Sequence, residues 1–204
     1  MTTDIRLATL ADAAALAAIY APAVDGQATS FELEPPDAVE MGRRVVAVTA
    51  RTPWLVCVHR GVTIGYAYAT QHRDRAAYAW SAEVSAYVDA NSQRAGVGRA
   101  LYNSLFAVLA LQGYRSAYAG ITLPNAASVR LHETVGFRPV GIYHDIGYKL
   151  GRWHDVAWFE RALGPHEAEE RPPRPLREIG VDTPEFTAAL ATGLQWLHLE
   201  ARAR

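Results

Sequence analysis

Apolar positions along the first 164 residues switch between a two-residue and a helical period, and the switches mark strands and helices in turn. Ile5 to Leu7 reads as a short strand, after which Thr9 and Asp12 open a run where Leu16, Ile19 and Tyr20 recur at helical spacing. Pro35 and Pro36 stop the segment 29–34, and Met41, Val45 and Val48 stripe a second helix that Pro53 ends. Trp54 to Val58 and Thr63 to Thr70, separated by Arg60 and Gly61, predict a hairpin. Within a strand over 78–88, Val84, Ala86 and Val88 point to one face while Glu83, Ser85 and Tyr87 point to the other. Leu101, Leu105, Val108 and Leu109 make 98–111 an amphipathic helix closed by Gly113, and a strand over 116–123 follows. Asn125 suits the N-cap of a helix that carries Val129, Leu131 and Val135 and ends at Gly136. Strands over 137–143 and 156–163 complete an α/β pattern.

Past Gly164 the chain turns charged and proline-rich, which predicts a linker or tail over 165–182 that packs no core. Thr183 and Pro184 then start a helix of about 18 residues within 183–204. Its stripe of Phe186, Leu190, Leu194 and Leu197 must bury on its own domain, 1–164, or on a second subunit. No repeat at solenoid spacing is visible.

The 204 residues are half hydrophobic, enough for one domain with a sizeable core. Twenty Lys and Arg against twenty-one Asp and Glu leave a charge of -1, so no global positive field draws a nucleic acid or an anionic membrane, and neither is an expected partner. Cys57, the single cysteine, rules out a disulfide framework within the chain. Asp4 and Arg6 precede any apolar stretch and no 18-residue apolar run follows, so neither a signal peptide nor a spanning helix is expected, and the expected compartment is the cytosol. The seven histidines show no metal-ligand spacing, His154 beside Asp155 reads as structural, and no metal is expected.

The segment QRAGVG, Gln93 to Gly98, joins a strand to a helix. Gly96 and Gly98 let backbone approach a ligand, consecutive N–H groups at a helix start form a donor site for phosphate, and Arg94 and Arg99 add local charge. Alone, the pattern is equally a turn that uses glycine for geometry. Leu101 stands where a dinucleotide fingerprint needs its third glycine. Together with the flanks EVSAYV and RALYNSLFAVL and the later LPNAASVRLHETVGF, the loop resembles the GNAT family of acetyl-CoA-dependent N-acetyltransferases. TSFELEP, PWLV, AYAW and GYKLGRWHDVAWFE bring it nearest to the phosphinothricin and methionine sulfoximine acetyltransferase branch, over about residues 3 to 180. The resemblance implies a GNAT fold: a twisted, mostly antiparallel mixed sheet of six or seven strands flanked by helices.

It further implies acetyl transfer from acetyl-CoA to the amine of a small amino acid or analogue, and a homodimer. The backbone of Ala86, Tyr87 and Val88 would bind the pantetheine arm, and Arg94, Ala95, Gly96, Val97, Gly98 and Arg99 the pyrophosphate. Asn125 and Ser128 match positions near the pantetheine and thiol, and could equally be helix caps. Glu83 matches the base that must take a proton from an ammonium substrate. His132 stands where many relatives have Tyr, leaving general acid, water-mediated base and structural donor open. Arg73 and Arg75 could clamp a substrate carboxylate or form a solvated charged loop, and Phe31 is a substrate wall or core. Cys57, in a buried-looking strand, argues against an acetyl-cysteine intermediate. The alternatives are an acetyl-CoA-binding module without turnover, or acetylation of protein or peptide N-termini.

Overall fold

The computed structural model describes residues 3–165 and 171–199. Its elements are β1 (Thr3–Leu7), α1 (Ala13–Val24), α2 (Ala38–Thr49), β2 (Trp54–His59), β3 (Val62–Gln71), β4 (Ser81–Val88), α3 (Val97–Gln112), β5 (Ser116–Thr122), α4 (Ala126–Thr134), β6 (Arg138–Lys149), β7 (Arg152–Ala162) and α5 (Pro184–Ala191), with short 3-10 turns between them. The strands form one mixed sheet in the order β1-β2-β3-β4-β5-β7-β6, in which β4 and β5 alone run parallel. That parallel step needs a long crossover, which α3 supplies.

Both faces of the sheet are covered, so the apolar run from Trp54 to Cys57 is buried throughout. Leu55 and Cys57 pack with Val84, Leu101 and Leu105 under α3. Trp54 and Val56 join Leu16, Tyr20, Met41 and Tyr66 under α1 and α2. Burial pushes the Cys57 thiol up to about 12, keeping it protonated and unreactive.

The pairing of β4 positions the site. Its contact with β3 runs from Ala82 through Val88, but its contact with β5 stops after Ser81, Ala82 and Glu83. Beyond Glu83 the two strands diverge, and the edge of Val84 to Val88 that faces β5 has no strand partner.

Three expectations change. The last two strands are longer than predicted and form a hairpin whose turn residues Leu150 and Gly151 have φ of +52° and +77°, the backbone of a tight two-residue connection. The proline-rich stretch, where described, is not a free tail. Leu176 is buried against Val108, Phe186 and Ala189, and Gln112 Nε2 donates to the carbonyls of Arg51 and Arg174. A run of prolines thus docks through its one leucine and its backbone.

The terminal helix starts at its Thr183 cap but stops at Ala191, and after Gly193 a 3-10 turn and extended chain follow. Gly193 sits so close to the Ala100 carbonyl that a Cβ would collide with it, and this contact replaces further helix. Phe186 is buried with Leu190 beside it, and Leu194 and Leu197 pack on the main core, so the stripe covers its own domain rather than a second subunit. Residues 166–170 of the expected linker and 200–204 of the expected helix lie outside the described residues.

Candidate active site

Glu83 is the last residue of β4 paired with β5, and its side chain shares a face with Ser85 and Tyr87. His72, just past the end of β3, places Nδ1 3.2 Å from Glu83 Oε2. The imidazole stacks on Tyr118 of β5 at 4.5 Å and 14° and meets Trp158 of β7 edge-on at 5.5 Å. Four adjacent strands therefore build one carboxylate–imidazole pair, with the Glu83 side chain 38% exposed and that of His72 13% exposed. His72 escapes the sequence pattern because QHRDR reads as a charged turn. Only the register, with Thr70 opposite Glu83, brings it back over the carboxylate.

The gap between β4 and β5 opens beside this pair. Ser85, Tyr87, Tyr102, Asn125, Ser128 and His132 line its 60 Å³ cavity, which shares Thr29, Thr122 and Asn125 with an adjoining 350 Å³ cavity that reaches Arg152 and His154. Asn125 does cap α4, its Oδ1 accepting from the Ser128 N–H at 3.1 Å, while still facing the cavity. His132 Nδ1 donates to the Ser128 carbonyl at 2.8 Å, which fixes the proton on Nδ1 and leaves Nε2 to accept from the Tyr102 hydroxyl at 3.0 Å. Burial lowers the His132 pKa and the carbonyl bond opposes it only in part, so the ring is neutral with both nitrogens engaged. Burial likewise raises the Tyr102 phenol well above its usual value.

The loop before α3 holds Arg94 and Gly96 in left-handed conformations, φ +60° and +80°. The first-turn N–H groups of α3 that follow have no helical partners, as phosphate recognition requires. The room expected beside the glycines is nevertheless filled by the chain itself. A Cβ on Gly96 would strike the Trp196 carbonyl, and one on Gly98 would press on Leu131 of α4. Arg99 does not reach freely toward solvent: its guanidinium lies 3.3 Å from the centroid of the Trp196 ring.

Arg73 and Arg75 are exposed on the loop that follows His72, and neither forms an ion pair among the described residues, Asp74 included. The structure does not bring them into either cavity. Phe31 is 39% exposed and lies over Gly147 of β6, where any side chain would clash with its ring. Its loop is tied down by Lys149, 5% exposed, whose Nζ donates to the carbonyls of Val24 and Ser30 at 2.7 and 2.8 Å. Lys149 is a second residue that composition did not single out, since surface lysine is the ordinary case. Among the described residues no group of three His, Cys, Asp or Glu gathers as a metal site, and no helix is long and apolar enough to cross a membrane.

The profile described as Acetyltransferase (GNAT) domain matches residues 5–158, which span the splayed β4 and β5 and the helix start between them. The chain belongs to the GNAT acetyltransferases. Among curated GNAT relatives, the phosphinothricin N-acetyltransferase of Streptomyces viridochromogenes is 39% identical over 86% of this chain and 94% of its own. The L-methionine sulfoximine/L-methionine sulfone acetyltransferase of Salmonella typhimurium is 34% identical over 81% of this chain and 98% of its own. Among solved structures, a GNAT superfamily phosphinothricin acetyltransferase from Sinorhizobium meliloti in complex with AcCoA superposes with a TM-score of 0.78, at 34% identity, covering 84% of this chain and 94% of that one. GNAT enzymes use acetyl-CoA, and this chain is an acetyltransferase of that family with its sheet, crossover and cleft.

Proposed function

We propose that the chain N-acetylates the α-amine of a small amino acid or analogue of the phosphinothricin and methionine sulfoximine kind. The observation that carries this reading is the Glu83–His72 pair at the point where β4 parts from β5. The free edge of Ala86 to Val88 fits an extended pantetheine arm as an added strand, and Arg94 to Arg99 fit its pyrophosphate. Acetyl-CoA supplies the acetyl group as a thioester.

Glu83 takes the proton from the incoming ammonium, since only the free amine attacks a carbonyl. One repeat of the strand, about 7 Å, separates it from Ser85 in the cleft. His72 keeps the carboxylate turned toward that opening while its own ring is fixed between Tyr118 and Trp158. His132 and Tyr102 form a neutral hydrogen-bonded wall at the thiol end, next to Asn125 and Ser128. Arg73 and Arg75, without an ion-pair partner among the described residues, suit a substrate carboxylate arriving over the Glu83 side, and Phe31, its ring 6.1 Å from that of His154 at the outer cavity, suits a substrate wall.

The protein is proposed to act in the cytoplasm as a homodimer. Support for the dimer comes from edge strand β6 and its hairpin partner, where Val140, Ile146, Tyr148 and Trp153 are more than half exposed. Acetyl-CoA turnover across phosphinothricin, methionine sulfoximine, free amino acids and short peptides tests the reading. Release of CoA with the free acids and not with peptides is expected, and the reverse order would favour N-terminal acetylation of proteins.

A further inference from the structure

The C-terminal segment meets the phosphate loop at three points, Ala95, Gly96 and Arg99, and the body of α3 at Ser104. His198 N–H donates to the Ala95 carbonyl at 3.0 Å, and the Trp196 carbonyl fills the space beside Gly96. Gly193 N–H donates to Ser104 Oγ at 3.1 Å, and the same hydroxyl donates to the Leu190 carbonyl at 2.6 Å. The Arg99 guanidinium carbon stands over the Trp196 ring, 3.3 Å from its centroid. Loop and segment are fitted to each other at two glycines. Gly96 tolerates the Trp196 carbonyl only because it lacks a side chain, and Gly193 is matched to Ala100 in the same manner.

Stacking on an aromatic face consumes the face of a guanidinium and leaves its N–H edges. Arg99 Nε is buried and has no acceptor among the described residues, so a donor at the first turn of α3 has been withdrawn from water and left unmatched there. An anionic oxygen brought by a ligand would supply the missing acceptor. Acetyl-CoA carries phosphates, and the loop is where the GNAT reading above places them.

We propose that Trp196 is a positioning residue for acetyl-CoA binding: it holds Arg99 for the phosphate end of the cofactor, and the segment from Gly193 to His198 fixes the loop around it. The inference rests on the assignment of residues 94–99 to the pyrophosphate. The amine site is not involved, so the effect belongs to cofactor affinity and not to the acceptor.

Isothermal titration of acetyl-CoA into the full-length protein tests this. Trp196→Ala should weaken binding by roughly 5- to 30-fold, the range of a desolvated cation–π contact, while Trp196→Phe stays within about threefold. Arg99→Ala should lose as much, and the double variant should lose no more than Arg99→Ala alone, because the two act as one unit. KM for the amine should not change. Should Trp196→Ala fail to fold, Trp196→Leu keeps apolar cover without a ring to stack and takes its place. Wild-type affinity in the tryptophan variant, or losses that multiply in the double variant, would overturn the proposal. If the unaltered protein itself failed to bind acetyl-CoA, the cofactor site would fall and the proposal with it.

Discussion

His72 Nδ1 stands 3.2 Å from Glu83 Oε2 although eleven positions and a turn separate them. The antiparallel register of β3 and β4 folds the two back onto each other, and Tyr118 and Trp158 lock the imidazole from the neighbouring strands. Glu83→Gln should lower turnover by on the order of 10²- to 10⁴-fold near neutral pH. Part of the loss should return as pH rises, because free amine then replaces ammonium. His72→Phe keeps the stack and removes the bond, so kcat should fall several-fold with KM for acetyl-CoA unchanged. Steady-state profiles over pH 6 to 10 decide both, and wild-type rates in Glu83→Gln would move the base elsewhere.

If Arg73 and Arg75 hold the substrate carboxylate, changing either to Ala leaves that anion without a charged hydrogen bond of roughly 1.5 to 3 kcal/mol. The specificity constant for a free amino acid should drop about 10- to 150-fold. A substrate amide should already suffer that loss with the wild-type enzyme and respond little to the mutation. Equal losses for acid and amide would reject the clamp.

The fold was legible where one side chain periodicity governs one element: the alternation across Glu83 to Val88 and the Asn125 cap stand as the pattern predicts. What composition could not show are contacts created by register or by docking. His72 becomes part of the site only through strand pairing, and Lys149 only because the Val24 and Ser30 carbonyls converge on it. The segment after Thr192 had a helical stripe, yet Gly193 can approach α3 more closely than any helix residue with a side chain, and tertiary contact overrode the local pattern. Gly96 was read as room for a ligand and is instead filled by Trp196, so Gly96→Ala should displace the C-terminal segment before it touches a cofactor.

At the start of α1, Asp12 is buried and receives two bonds from Arg6 and one from the Thr9 N–H. Arg6 above all, with Thr9, holds its carboxyl below the usual carboxylate range against the opposing effect of burial. A depressed pKa means stability that is present above the ordinary value of 3.8 and is lost as pH falls through the lowered one. Asp12→Asn should cost about 1 to 3 kcal/mol at pH 7 in urea unfolding, and the gap to wild type should close in strong acid. A gap independent of pH would deny the ion pair its role.

Edge strand β6 offers the exposed apolar surface for a second subunit that the C-terminal stripe does not, since that stripe packs within its own chain. Light scattering at micromolar concentration should give a dimer mass. Combining Tyr148→Lys with Trp153→Lys places charge on the exposed hairpin and should yield a folded monomer. A wild-type monomer would remove the dimer.

The strongest link between stability and substrate affinity should run through Lys149. Its ammonium is buried and donates to the Val24 and Ser30 carbonyls, which brackets the stretch leading to Phe31, and Phe31 rests on Gly147 two residues before it. Lys149→Met keeps a similar volume but leaves two carbonyls without a donor, at about 1 to 3 kcal/mol each. Chemical denaturation should therefore show a loss of several kcal/mol. Well below the melting temperature, where the variant is still folded, KM for the amine should rise while affinity for acetyl-CoA is unchanged, because the loop before α3 shares no hydrogen bond with Lys149. A lysine that served stability alone would lower the midpoint and leave both constants of the folded enzyme as they were.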